Sequence, residues 1–189
     1  MSKEALGFFA LLFTMMSISG SPHPYMLIIA YIIHELGHMF FASLAGAKIR
    51  KFKFATLHLS LSYDCSSITY GKEILVCLGG IIFNLLTAGI IWMIPAFNGE
   101  ACRFFAVCNL SLALMNLYPV SILDGAGALK ALMLLKIRQD LAEKISHIVS
   151  IIAVLLMWLL SVYLQLVFAS NLSLLFISVL LLVELCFTL

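Results

Sequence analysis

Residues 25–47 are apolar for long enough to cross a bilayer, and in the middle of that run stands His34-Glu35-Leu36-Gly37-His38. The two facts pull against each other. A spanning helix needs about 20 predominantly apolar residues. A carboxylate and two imidazoles buried in hydrocarbon without partners are costly. On a helix, residues four apart share one face, about 6 Å apart along the axis. His34 and His38 can therefore aim two ring nitrogens at one point. Zinc accepts such nitrogens at about 2.0–2.1 Å, and a catalytic zinc keeps one position open for water. Glu35 stands beside the first ligand, placed to take a proton from that water. A lone buried His is more often a satisfied core residue. A glutamate between two His, in a segment with almost nothing else polar, is better explained by a metal.

The rest of the composition fits a membrane protein. Of 189 residues, 63% are hydrophobic and only 11% charged, where soluble chains carry about a quarter charged residues. We read residues 1–189 as a single all-α polytopic membrane domain, without internal repeat or low-complexity tract. A net charge of +2 points to no nucleic-acid partner. Residues 5–19 have the length of a signal peptide, but Gly20-Ser21-Pro22 leads straight into the next apolar run, so we expect a retained first helix.

Six transmembrane segments are expected: 5–19, 25–47, 74–97, 104–117, 145–168 and 172–189. The fourth is too short to span alone, so a broken helix is expected over about 104–125, tolerated at membrane depth where it lines a cavity. Residues 49–70 are of another kind. Phe52, Phe54, Leu57, Leu59 and Leu61 nearly alternate with Lys51, Lys53, Thr56, His58, Ser60 and Ser62, a period of two that argues strand. We expect a small β-hairpin there, after the second helix and at the membrane interface. Its edge could pair with an extended peptide. Lys3, Lys48, Arg50, Lys51, Lys53, Lys72, Lys130, Lys136, Arg138 and Lys144 all fall on one side of this layout, and only Arg103 on the other. The positive-inside rule makes that side cytoplasmic. The expected location is thus the cell membrane, multi-pass, with both termini and the site's opening cytoplasmic.

Two His leave zinc short of a protein ligand. Asp124 and Glu184 are the acids in apolar surroundings. Asp124 follows Asn116-Leu117-Tyr118-Pro119-Val120-Ser121-Ile122-Leu123 and precedes Gly125. Pro119 cannot continue a helix, and Gly125 permits unusual backbone angles. Asp124 could simply be the N-cap of a helix over 125–137. With a zinc site elsewhere short of a ligand, the ligand reading wins. Glu184 lies near the C-terminal membrane edge and is read as interfacial, like His23 and His147; His58 is read as a solvated interfacial residue. Of the five cysteines, Cys65, Cys77, Cys102, Cys108 and Cys186, none forms a C-x-x-C pair. All are read as small hydrophobes, although Cys102 and Cys108 could in principle pair.

The pair H-E-x-x-H and N-x-x-P-x-x-x-L-D-G resembles the site-2 protease family of intramembrane zinc metalloproteases. The resemblance implies His34, His38 and Asp124 as ligands of one zinc ion per chain, and Glu35 as catalytic base. A third feature is similar: Gly79-Gly80-Ile81-Ile82-Phe83-Asn84, with Gly80 where the family usually has Pro. The layout is most similar to the sporulation branch that processes a sigma-factor precursor. We expect neither that branch's C-terminal nucleotide-sensing domain nor the periplasmic peptide-binding domain of the envelope-stress branch.

The function implied is hydrolysis of a peptide bond in or beside a transmembrane segment of a membrane-anchored protein or peptide, as in regulated intramembrane proteolysis. The lipid bilayer is the medium, and a regulatory membrane protein is a further conceivable partner. Asn116, and more weakly Asn84, are candidate donors to substrate or oxyanion. Two other readings compete. One is a membrane zinc peptidase drawing Glu184 in place of Asp124. The other is a non-proteolytic zinc-binding scaffold or transporter, which would have no use for a base at Glu35.

Overall fold

In the computed structural model, residues 25–54, 59–64, 68–168, 175, 178, 179 and 181–183 are described, with 48–54 and 59–64 described by their backbone. The expected first helix therefore lies outside the described residues, as do His23, His58, Glu184, Cys65, Cys186 and much of the expected sixth helix. The described elements run α1 (Tyr25–Ala45), β1 (Lys48–Phe54), β2 (Leu59–Asp64), α2 (Tyr70–Met93), a 3₁₀ turn (Pro95–Phe97), α3 (Glu100–Leu117), α4 (Asp124–Leu134) and α5 (Gln139–Phe168). Among the described residues, α1, α2 and residues 139–167 of α5 are long and apolar enough to cross a membrane. β1 and β2 pair antiparallel, with Lys48 opposite Asp64 and Phe54 opposite Leu59. One register shift lies between Ile49 and Lys51.

These helices are apolar outside and small or polar inside. α1 buries Ala30, His34, Gly37, His38, Ala42 and Ala45, while Ile28, Ile32, Leu36, Phe40 and Leu44 are exposed. That inversion suits a chain whose solvent is lipid: apolar side chains gain nothing by leaving it, and small residues let backbones approach. The extreme case joins α1 to α2. A Cβ built on Gly79 would stand 2.7 Å from the carbonyl oxygen of Gly37, and one built on Gly37 would strike the Gly79 carbonyl. The two helices touch backbone to backbone.

Helix ends differ from those read off hydropathy, in a consistent way. α2 begins four residues before the expected 74 and takes in Lys72 and Glu73. α3 begins at Glu100 instead of 104, and α5 at Gln139 instead of 145. Apolar windows cut off charged first turns, although the backbone is helical there. α3 is consequently 18 residues long, about 27 Å, against the shorter segment expected. α1 stops two residues early, at Ala45. Gly46 takes φ 77°, its N–H donates to Ser43 O and that of Ala47 to Ala42 O. This is the paired closure of a left-handed glycine cap. Lys72 Nζ also donates to Ala45 O at 3.1 Å.

The segment between α3 and α4 is held from outside. Tyr118 donates to Ala153 O of α5 at 3.0 Å. Ser121 donates to Ser150 Oγ at 2.8 Å, and Ser150 reaches Pro119 O at 3.3 Å. Val120 and Leu123 are buried against Ala153, Val154 and Leu181. At the far side of the break, Gly125 packs on the last turn of α3, so that any Cβ there would collide with the Leu117 carbonyl. Cys102 and Cys108 form no disulfide.

Candidate metal centre

α1 presents both imidazoles inward. His34 and His38 are buried, while Glu35 between them is half-buried. Asp124 comes from the opposite side, as the first residue of α4. The N-cap position is held by Leu123, and no side chain caps this helix. The carboxylate is therefore not spent on capping. Its Oδ2 lies 2.9 Å from His34 Nε2 and 3.2 Å from His38 Nε2, and the two Nε2 atoms are 3.1 Å apart. Two ligands on one face of a helix and a third 86 residues on from the nearer meet in a near-equilateral triangle.

The donor set can be tested against a metal by charge and by size. His38 Nδ1 is 2.7 Å from Val76 O. A carbonyl only accepts, so Nδ1 carries the proton, and the ring in its neutral form would offer a lone pair at Nε2. That lone pair points at a carboxylate oxygen and at a second imidazole nitrogen. Such a convergence of acceptors is stable around a cation. Ligands at about 2.0–2.2 Å in tetrahedral array are separated by about 3.3–3.6 Å, a few tenths of an ångström wider than the 2.9–3.2 Å found here. The residues fit a His₂Asp site for one small divalent ion.

α2 supplies the wall behind the rings. Gly80 faces them directly: a Cβ there would lie 2.6 Å from His34 Cε1 and from His38 Nε2. Only a residue without a side chain leaves room for both imidazoles. Asn84, one turn further on, is fully buried, with its Nδ2 3.4 Å from His34 Nδ1. Asn116 is placed differently. Its amide donates back to Leu112 O in its own helix at 3.0 Å, and no hydrogen bond joins it to the triangle among the described residues. His147, expected at an interface, is exposed.

Two contributors were not anticipated from the sequence. Tyr31 donates its hydroxyl to Glu35 Oε1 at 2.8 Å and so holds the carboxylate beside the triangle. Its position one helical turn before Glu35 was a usable signal. The Val76 carbonyl that orients His38 left none, because a backbone atom of another helix has no sequence signature.

Fold and site together give helices apolar enough to cross a membrane around a buried cluster of two imidazoles and a carboxylate that could hold a metal ion. Residues 99–160 match the model of Peptidase family M50, a stretch that contains Asn116 and Asp124 but not the His34–His38 helix. The fold is similar to that of the site-2 protease from Methanocaldococcus jannaschii, with a TM-score of 0.70 and 20% identity over 95% of this chain and 84% of that one. The resemblance first drawn from short motifs is therefore met by a family match and by a fold. Curated proteins give no sequence match.

Proposed function

We propose that this chain is an intramembrane zinc endopeptidase, cutting a peptide bond in or next to a transmembrane segment of a membrane-anchored substrate. The observation that carries the proposal is the triangle of His34, His38 and Asp124 with Glu35 at its edge. A zinc ion held by those three side chains would supply Lewis-acid polarisation of the scissile carbonyl and make water more acidic. Glu35 is the base. Its carboxylate, held by Tyr31, takes the proton from the attacking water and returns it to the leaving amine. Asn116, in the turn of α3 before the break, is the donor proposed for the oxyanion, reached once a substrate displaces its bond to Leu112.

The topology belongs to the same proposal: about six membrane helices, with both termini, the β1–β2 pair and the opening to the site on the cytoplasmic side. A helical peptide bond is shielded by its own hydrogen bonds, so a substrate must unwind. The edge of the β1–β2 pair offers main-chain groups to an extended strand. Scaffold and transporter readings leave Glu35 and its tyrosine partner without a task.

The test is cleavage of a single-span substrate co-reconstituted with purified protein. Glu35→Gln is expected to retain zinc at one per chain and to lose about 10²–10⁴-fold in rate. Full cleavage by Glu35→Gln would overturn the role of base, and absence of stoichiometric zinc from the wild type would overturn the proposal itself.

A further inference from the structure

The side chain of Asn84 has a problem that His34 can solve. It is fully buried, and its Oδ1 has no hydrogen-bond partner among the described residues. Its Nδ2 lies 3.4 Å from His34 Nδ1. His34 turns Nε2 toward Asp124. A neutral imidazole that gives its Nε2 lone pair to a metal carries its proton on Nδ1. An amide N–H facing that proton would set donor against donor. A half-turn of the amide about its own axis exchanges the two ends. Oδ1 then accepts from Nδ1–H, and the orphaned oxygen and the ring proton satisfy each other. His38 already has the equivalent partner in Val76 O, so both rings would be held by acceptors on α2, two turns apart.

We propose that Asn84 is a positioning residue for the metal centre: its Oδ1 fixes the tautomer and tilt of His34, so that Nε2 is a ligand. The inference rests on the zinc-site reading above. It gives Asn84 a task other than oxyanion donation, since the amide is buried against the far nitrogen of the ring. Outer partners of this kind typically govern metal affinity by about 10–100-fold.

The test is zinc affinity, by competition with a chelator, for purified wild type, Asn84→Leu and Asn84→Asp, together with the thermal midpoint of each in detergent with and without zinc. Leucine keeps the approximate shape and removes the acceptor; aspartate keeps the acceptor and removes the donor. Asn84→Leu is expected to lose about 10–100-fold in affinity and most of the zinc-induced rise in midpoint. Asn84→Asp is expected to keep both. Equal affinity in all three proteins, with cleavage lost in the two variants, would overturn the proposal and return Asn84 to the oxyanion. Loss of affinity in both variants would also overturn it, because the acceptor alone would then not suffice. A zinc-free wild type would instead strike the zinc-site reading, which separates the two failures.

Discussion

The two halves of the centre are built by opposite means. His34 and His38 ride on an unbroken helix, whose 3.6-residue turn fixes their spacing before any tertiary contact forms. Asp124 opens a second helix after a break, and nothing local fixes where it points. Its place depends on α5, through Tyr118, Ser121 and Ser150, and on Gly125 against the end of α3. Local geometry writes one half, and packing writes the other. The first half has its spacing set within one helix, and its surroundings on α2, Gly80 and Asn84, bound and hold the rings. The second is sensitive to residues that never touch the metal.

Four substitutions sharpen that contrast. The largest effect is expected where the halves meet. His38→Ala and Asp124→Ala should each cost more than the about 10–100-fold in zinc affinity that outer-shell losses cost. A zinc titration that found Asp124→Ala as tight as wild type would break the comparison, since only the helix-borne half would then bind. Next comes the helix seam. Gly37→Val forces a side chain into the backbone of α2 and should destabilise the protein by about 3 kcal/mol or more, read as a lowered thermal midpoint in detergent. The smallest effect is expected at the clamp. Ser150→Ala removes the partner of Ser121 and should cost about 1 kcal/mol. It should also weaken zinc binding measurably, although Ser150 is far along the chain from every ligand. If midpoint falls and zinc affinity does not, Asp124 is held by Gly125 and the α3 end alone.

The same contrast explains what could be read in advance. The His pair, the glutamate between them and the apolar helices follow from spacing and composition, which are local properties. Asp124 was reachable because Pro119 and Gly125 mark a break, and because two His call for a third ligand. Its non-capping position at the start of α4 was not reachable, since a cap and a ligand look alike in sequence. Helix starts were misplaced by four residues at α2 and α3 and by six at α5 because charged first turns are helical without being apolar. The Val76 carbonyl and the backbone contact of Gly37 with Gly79 belong to pairings between helices, which no single stretch encodes.

The Gly37–Gly79 contact also bears on the direction from which a polypeptide would arrive, if this centre cuts one as proposed. With two backbones touching, α1 and α2 leave no slot between them, and the rings of His34 and His38 are walled off on that flank by Gly80. Glu35 precedes Gly37 by two residues, which places it about 200° away around α1, on the flank turned from the seam. An incoming strand would thereby be steered to the carboxylate side of the helix. Chain polarity and bond choice would then be set by whatever groups line that one approach.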